Sequence, residues 1–259
     1  MRTNFHTHTF RCNHCKGTER DMIQAAIANG YSDLGFSDHT AWPHEGADEV
    51  NYHMKMAQLP DYFDTIKALR EEYAPILDIH LGLECEYFPQ NESWLKETRE
   101  QHGLYLILGN HFDRSERGLY FGRAATQEDA AQYVRMTVQG LSTGMFSYLA
   151  HPDLFLNNMT SFEPWCAQAC RELCRACKAL DIPMEYNMLG ARRQQDSMAK
   201  GVLGYTTAQF WDIAAEEDVT CILGVDAHDP AHLQDPDFYD QCERFLDGLG
   251  IKRVSRLFR

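Results

Sequence analysis

The sequence predicts an α/β protein, a distorted (β/α)7 barrel built by one domain over residues 1–259. Three observations predict it. Strand-like and helix-like segments alternate from end to end with no low-complexity linker to divide them. Parallel strands joined by right-handed helical crossovers close naturally into a barrel. Finally, six short apolar runs each end in a histidine or an acid: Phe5 at His6, Leu34–Phe36 at His39, Ile79–Leu83 at Glu84, Leu104–Leu108 at His111, Phe146–Ala150 at His151 and Cys221–Val225 at Asp226. An open doubly wound sheet would gather such residues at one switch point and would not draw on nearly every strand. Seven units fall one short of the usual eight, hence the expected distortion.

The elements follow in order. A first strand, Arg2–His6, precedes a helix over Glu19–Asn29, with Thr18 as N-cap, Asp21 as its capping-box partner and Gly30 as stop. Met22, Ala25, Ala26 and Asn29 share one face. Strand two, Asp33–Ser37, leads to a helix near Asp61–Tyr73 whose core face is Phe63, Ile66, Leu69 and Tyr73. Strand three, Ile76–Leu83, precedes a helix at Glu92–His102. Strand four, Leu104–Gly109, precedes one at Gln127–Leu141, ended with help from Gly140 and Gly144. Strand five, Phe146–Ala150, is followed by a helix over Phe162–Leu180, capped by Ser161 with Pro164 in its first turn. Strand six is Met184–Tyr186. A helix near Thr207–Glu217, strand seven at Thr220–Val225 and a helix at Asp237–Leu249 complete the repeat.

Composition narrows the function. A formal net charge of −14 opposes a nonspecific grip on a phosphate backbone, so nucleic acid is not expected as a partner. A small molecule fits better, and bound divalent ions can supply the local positive charge an anionic substrate needs. No leader-like segment opens the chain, and no run approaches membrane-spanning length, so a cytoplasmic location without membrane attachment is expected. Nine cysteines, an odd number, suit free thiols in a reducing compartment. Cys166, Cys170, Cys174 and Cys177 have the spacing of one helical face with Leu173 and Leu180, which reads as packing and not as a four-thiolate zinc site.

The strand ends carry the chemistry. His6 and His8 flank Thr7, so on an extended segment both imidazoles point the same way and can chelate one ion, with His14 close behind. Asp38-His39 ends strand two. Glu84 and Glu86 alternate onto one face at the end of strand three; Glu84, directly after the apolar run, is the better ligand, and Glu86 the surface or supporting carboxylate. His111 and His151 end two more strands, each followed by an acid, Asp113 or Asp153, that could orient an imidazole. Asp226 and His228 end the seventh strand at extended spacing. A polynuclear metal site accounts for all of these together. His44, His53, His80, His102 and His232 lie elsewhere and are expected in ordinary surface or core roles.

These residues resemble a known family. His6-Thr7-His8, Asn13-His14 before Gly17-Thr18, Gly35-Phe36-Ser37-Asp38-His39, Gly82-Leu83-Glu84, Gly109-Asn110-His111-Phe112, Ala150-His151-Pro152-Asp153 and Gly224-Val225-Asp226-Ala227-His228 are similar to the motifs of the polymerase and histidinol phosphatase (PHP) family, most of all its stand-alone histidinol-phosphatase branch. The resemblance implies a distorted seven-unit barrel with three metal ions in a cleft at the strand C-termini, and histidine-rich coordination suits divalent zinc, iron or manganese. By position, His6, His8, Glu84 and Asp226 would hold one ion, Glu84 would bridge to a second held by His111 and His151, and His14, His39 and His228 would hold the third.

The function so implied is hydrolysis of a small phosphate monoester, L-histidinol phosphate by resemblance, through a metal-activated hydroxide in line with the leaving group. Asp226 or His228 would assist proton transfer as the catalytic pair. Arg192 and Arg193, read as a loop after strand six, are the candidates to fork onto phosphate oxygens. Two alternatives stand beside this: a PHP-type phosphoesterase or nuclease with another substrate, and a metal-binding protein without turnover.

Overall fold

The computed structural model describes residues 1–47, 51–114 and 118–257. Eight parallel strands lie side by side in chain order: β1 (Arg2–Asn4), β2 (Tyr31–His39), β3 (Asp78–Cys85), β4 (Tyr105–Leu108), β5 (Tyr148–Leu149), β6 (Met184–Asn187), β7 (Thr220–Gly224) and β8 (Lys252–Arg253). Among the described residues eight α-helices connect them: α1 (Glu19–Ala28), α2 (Leu59–Tyr73), α3 (Glu92–His102), α4 (Gln127–Leu141), α5 (Pro164–Ala179), α6 (Met188–Ala199), α7 (Ala208–Glu216) and α8 (Pro236–Gly248).

The ring closes on the seventh strand, and β7 changes neighbour along its length. At its start, Thr220 and Cys221 pair with the two-residue β8. Past its end, Thr7 bridges Ala227 in parallel, with His8 N donating to Ala227 O (2.9 Å) and Ala227 N to His6 O (3.0 Å). Asn4 fastens the same seam from within. Fully buried, it donates from Nδ2 to His6 O (3.0 Å) and Thr7 Oγ1 (2.8 Å), and its Oδ1 accepts from Val225 N (2.8 Å). The seven-unit barrel is thus completed between β1 and β7, and β8 is an addition that its short, charged sequence does not announce.

Two apolar compartments hold the fold. Inside the ring, Phe5, Tyr105, Ile107, Tyr148, Ala150 and Ile222 form one cluster, stoppered at one end by Val254 and Leu257. Outside it, the helices bury their inner faces against the sheet. Thr18 caps α1 with Asp21 returning the bond, as expected from the capping-box spacing, and Gly30 follows at φ 73°. Cys166, Cys170, Cys174 and Cys177 are buried with Leu173 on one face of α5, whereas Leu180, at the helix end, is exposed.

Three local expectations need correction. Ser161 does not cap α5; its hydroxyl turns to the Glu163 carboxylate, and Glu163 occupies the cap position. Gly140 lies within α4, where its lack of a side chain lets the helix approach Tyr87, and does not end it. The stretch after strand six is not a loop: Asn187 caps α6 by accepting from Gly190 N (2.9 Å), so Arg192 and Arg193 are helical. Among the described residues no helix is long and apolar enough to cross a membrane.

Candidate metal centre

Eight of the nine expected metal ligands come from the C-terminal ends of strands or the turns just after them; the ninth, His14, lies farther along the loop between β1 and α1. His39 is the last residue of β2 and Glu84 the next to last of β3. His6 and His8 follow β1, His111 follows β4, His151 follows β5, and Asp226 and His228 follow β7. Two of these positions carry a backbone signature: His151 (φ 27°) and Asp226 (φ 53°) sit in the left-handed region that side chains other than glycine rarely adopt. Such strain persists where surrounding structure over-determines it, most often at functional sites.

Four of the donors converge on one point. His6 Nε2 lies 3.3 Å from Glu84 Oε2 and 3.5 Å from Asp226 Oδ1; His8 Nε2 lies 3.4 Å and 3.1 Å from the same two oxygens. Bonds of about 2.0–2.1 Å to a tetrahedral cation place donor atoms roughly 3.4 Å apart. All four atoms are buried and without a hydrogen-bond partner. Leaving buried polar atoms unpaired is costly, and a divalent cation satisfies the four at once.

The supporting contacts fix which nitrogen of each imidazole is free. His6 Nδ1 bonds Glu185 Oε1 (2.7 Å) and His8 Nδ1 faces Asp38 Oδ1 (3.3 Å), so each ring keeps its proton on Nδ1 and aims the Nε2 lone pair at the convergence point. His14 Nδ1 donates to Cys12 O (2.7 Å) and His228 Nδ1 to Asp226 O (3.1 Å), yet their Nε2 atoms stand only 3.0 Å apart. Two lone pairs at that distance repel unless a cation lies between them. Around the other oxygen of Glu84, His151 Nε2 is at 2.7 Å and His111 Nε2 at 3.9 Å. Glu84 therefore faces two donor groups, one per oxygen.

His39 is drawn in through Nδ1, 3.1 Å from Glu84 Oε2. The close donor groups at the outer end of the cleft are His8 with His39 and His228, and Cys12 with His14 and His228.

Electrostatics suit this chemistry. Burial would raise Glu84 and Asp226, but the imidazoles around them, His6 foremost, hold both well below the carboxylate range. Burial pushes His39 well below the ordinary histidine value and lowers His228 too, keeping both neutral. Burial opposes charge on His6 and His8 as well. There the facing carboxylates, Glu185, Asp226 and Glu84 for His6, and Asp226 and Asp38 for His8, prevail and raise both well above it.

Several residues that matter here carried little sequence signal. Glu185 is fully buried and accepts from His151 N (2.9 Å) and Asn187 Nδ2 (2.9 Å) besides holding His6. An acid inside the apolar run of β6 was its one visible mark. Gly109 and Gly224 leave the room that the Glu84 and Glu185 side chains fill, since a Cβ at either position would overlap a carboxylate. His53, expected in an ordinary role, bonds Glu86 (3.1 Å), which also accepts from Trp42 Nε1 (3.0 Å) and faces His111 Nδ1 at 3.6 Å. Glu86 thus stands beside His111 without a hydrogen bond to it, the His111 Nδ1 atom being buried and unpartnered. Asp113 does not orient His111 either: it accepts from Leu119 N (2.8 Å). Asp153 likewise accepts from Thr207 N (2.7 Å).

The donors open into a cavity of about 300 Å³, walled by Tyr52, Tyr120, Tyr205, Leu154, Leu189 and Arg193. Tyr52 stacks on His14, with ring centroids 5.1 Å apart, and Tyr120 lies parallel to His111 at 6.2 Å. The structure separates the arginine pair. Arg193 lines this cavity, whereas Arg192 turns away from it, bonds Asp235 (2.7 Å) and lies over the Phe238 ring at 4.2 Å. One helical step, about 100°, accounts for the divergence.

Comparison with known proteins agrees with this architecture. A protein of Deinococcus radiodurans named "Probable histidinol-phosphatase" is 28% identical over 251 residues, covering 88% of this chain and 86% of that protein. The histidinol-phosphatase of Bacillus subtilis is 30% identical over 118 residues, 43% of this chain and 44% of its own. The crystal structure of histidinol phosphate phosphatase from Lactococcus lactis, complexed with zinc, L-histidinol and phosphate, superposes with a TM-score of 0.70 at 16% identity, covering 98% of this chain and 95% of that one. The family model for the PHP domain matches residues 4–189, which span every strand end from His6 to His151. By that match and by the histidines and acids gathered at the strand C-termini, the chain belongs to the PHP domain family.

Proposed function

We propose that the protein is a metal-dependent phosphomonoesterase acting on a small phosphate ester, L-histidinol phosphate in the first instance. The observation that carries the reading is the set of four buried, unpartnered donors, His6 Nε2, His8 Nε2, Glu84 Oε2 and Asp226 Oδ1, spaced as the corners of a cation site beside an open cavity. The relatives' names supply the substrate.

Three divalent ions, zinc, iron or manganese, would be held, one by His6, His8, Glu84 and Asp226, a second by Glu84, His111 and His151, and a third by His14 and His228 with His39, which also faces Glu84 and groups with His8. When bound, such ions lower the pKa of water and neutralise a phosphoryl group. The chain's own residues do the rest. Arg193, at the cavity wall, is the cation placed to donate to phosphate oxygens, and the role is assigned to it alone because Arg192 is held by Asp235. Tyr52, Tyr120 and Tyr205 narrow the cavity around the ester and displace water from it. In the expected catalytic pair, His228 gives Nδ1 to Asp226 O and Nε2 to the cation, and Asp226 bonds Asn187 Nδ2 (3.1 Å), so neither has a free site for a proton while it serves as a cation donor.

The test is a phosphate-ester panel, histidinol phosphate beside sugar, nucleotide and amino-acid phosphates, with elemental analysis of the same preparation. Expected is turnover of histidinol phosphate that chelation abolishes and added divalent cation restores. Cation-replete protein inert on the whole panel, or turnover that survives cation stripping, would sink the reading.

A further inference from the structure

Arg11 stands on the single turn Phe10–Cys12 between β1 and α1, and its charged side chain is 3% exposed. Burying a charge is costly unless it is paired and fully hydrogen-bonded. A guanidinium carries five N–H donors, and here all five are engaged. Nε and Nη2 donate to Asp61 Oδ2 (3.2 and 2.6 Å), Nη2 to Thr65 Oγ1 (3.4 Å), and Nη1 to the Glu19 carboxylate and to Thr9 Oγ1 (3.3 Å). Asp61 and Thr65 belong to α2 and Glu19 opens α1, so four of these bonds clamp two helices to the turn. The fifth leads to the metal centre. The buried Thr9 hydroxyl also accepts from Arg11 N (3.3 Å). A hydroxyl has two lone pairs and one proton, whereas a guanidinium and a backbone amide can only donate. Arg11 therefore occupies both lone pairs, and the Thr9 proton is left for Asp38 Oδ2, its remaining partner. The buried Asp38 in turn accepts from His39 N at Oδ1 (2.9 Å) and faces His8 Nδ1 with the same oxygen at 3.3 Å.

We propose that Arg11 is a positioning residue for the metal centre: through Thr9 it fixes the direction of a hydrogen-bond chain, guanidinium to hydroxyl to carboxylate, that holds His8 with its proton on Nδ1 and its Nε2 lone pair toward the cation. The inference rests on the reading of His8 as a cation donor. Without Arg11 the Thr9 hydroxyl regains a lone pair and is free to turn. Asp38 Oδ2 then loses its fixed donor, and the carboxylate can rotate away from the His8 ring. Partners of this kind set the orientation and basicity of a ligating imidazole without touching the ion. A clamp between helices would need Glu19, Asp61 and Thr65 but not Thr9, so the Thr9 hydroxyl separates the two roles.

Zinc affinity, read by competition with a chromophoric chelator, tests this. T9V keeps the shape of the side chain and the ion pairs of Arg11 but removes the hydroxyl; it should bind one of its zinc ions about tenfold more weakly than the parent. T9S, which keeps the hydroxyl, should bind as the parent does. Arg11 is then removed together with the buried charge it neutralises: E19Q/R11M should show the same loss relative to E19Q. Adding T9V to that pair should cost less than about twofold more, because both residues act through one chain. The two Thr9 variants decide the matter alone should E19Q/R11M not fold. Zinc held by T9V as tightly as by the parent, E19Q/R11M binding as E19Q does, or losses from the two sites that multiply would each overturn the proposal and leave Arg11 a helix clamp. A parent chain that binds no zinc would instead overturn the metal-centre reading on which it rests.

Discussion

Glu185 presents no donor to the convergence point, yet it decides which nitrogen of His6 carries the proton. Residues that orient a ligand in this way typically change cation affinity about 10–100-fold when removed, so Glu185→Gln should weaken binding by that factor with the fold retained, measured by competition with a chelator. The same environment sets a pH dependence. In the cation-free chain the carboxylates raise His6 and His8 above the ordinary 6.5, so both imidazoles hold protons that a cation must displace. Affinity should therefore rise with pH through and above neutrality, with net proton release on binding, read by calorimetry in buffers of different ionisation enthalpy. Affinity that is flat between pH 6 and pH 8 would contradict this.

Along the elements, strand ends were legible and supporting residues were not. The positions of His6, His39, Glu84, His111, His151 and Asp226 could be read because each lies within three residues of the end of an apolar run, where burying a histidine or an acid is costly unless it is satisfied. Asn4 and Asn187 act through hydrogen bonds across elements far apart in sequence, and nothing local distinguishes them from ordinary polar residues, whereas Glu86 was marked by its alternation with Glu84. Helix α6 escaped for a different reason. Its first turn buries Met188, Leu189 and Gly190 while most of the rest is polar and partly exposed, so no helical stripe marks it. Backbone spacing at the strand ends is itself tuned to the site. Gly109→Ala would push into the Glu84 carboxylate, the one that faces both donor groups. Loss of cation and of turnover, with a destabilisation of about 1–3 kcal/mol by denaturant titration, is expected.

For the molecule as a whole, closure of the barrel and assembly of the metal centre are one event. The seam between β1 and β7 holds His6 and His8 against Asp226 and His228, and Asn4 bonds both sides of it. Asn4→Leu, close in size but without donors, would leave Val225 N and His6 N short of their acceptor and should cost about 2–4 kcal/mol together with most of the cation affinity. A variant that unfolds at the parent's midpoint and binds cation normally would show that the seam closes without it.

That seam has a consequence for biosynthesis. The segment carrying His6 and His8 leaves the ribosome before its partners Asp226 and Ala227, which emerge more than two hundred residues later. Until then the first strand can pair only with β2, and two chelating imidazoles wait beside an open edge. Contacts this distant in sequence form slowly, after the loop entropy between them has been overcome. Metal capture is therefore a late step of maturation, and a nascent chain stalled before residue 220 would carry a histidine pair that binds cations only loosely.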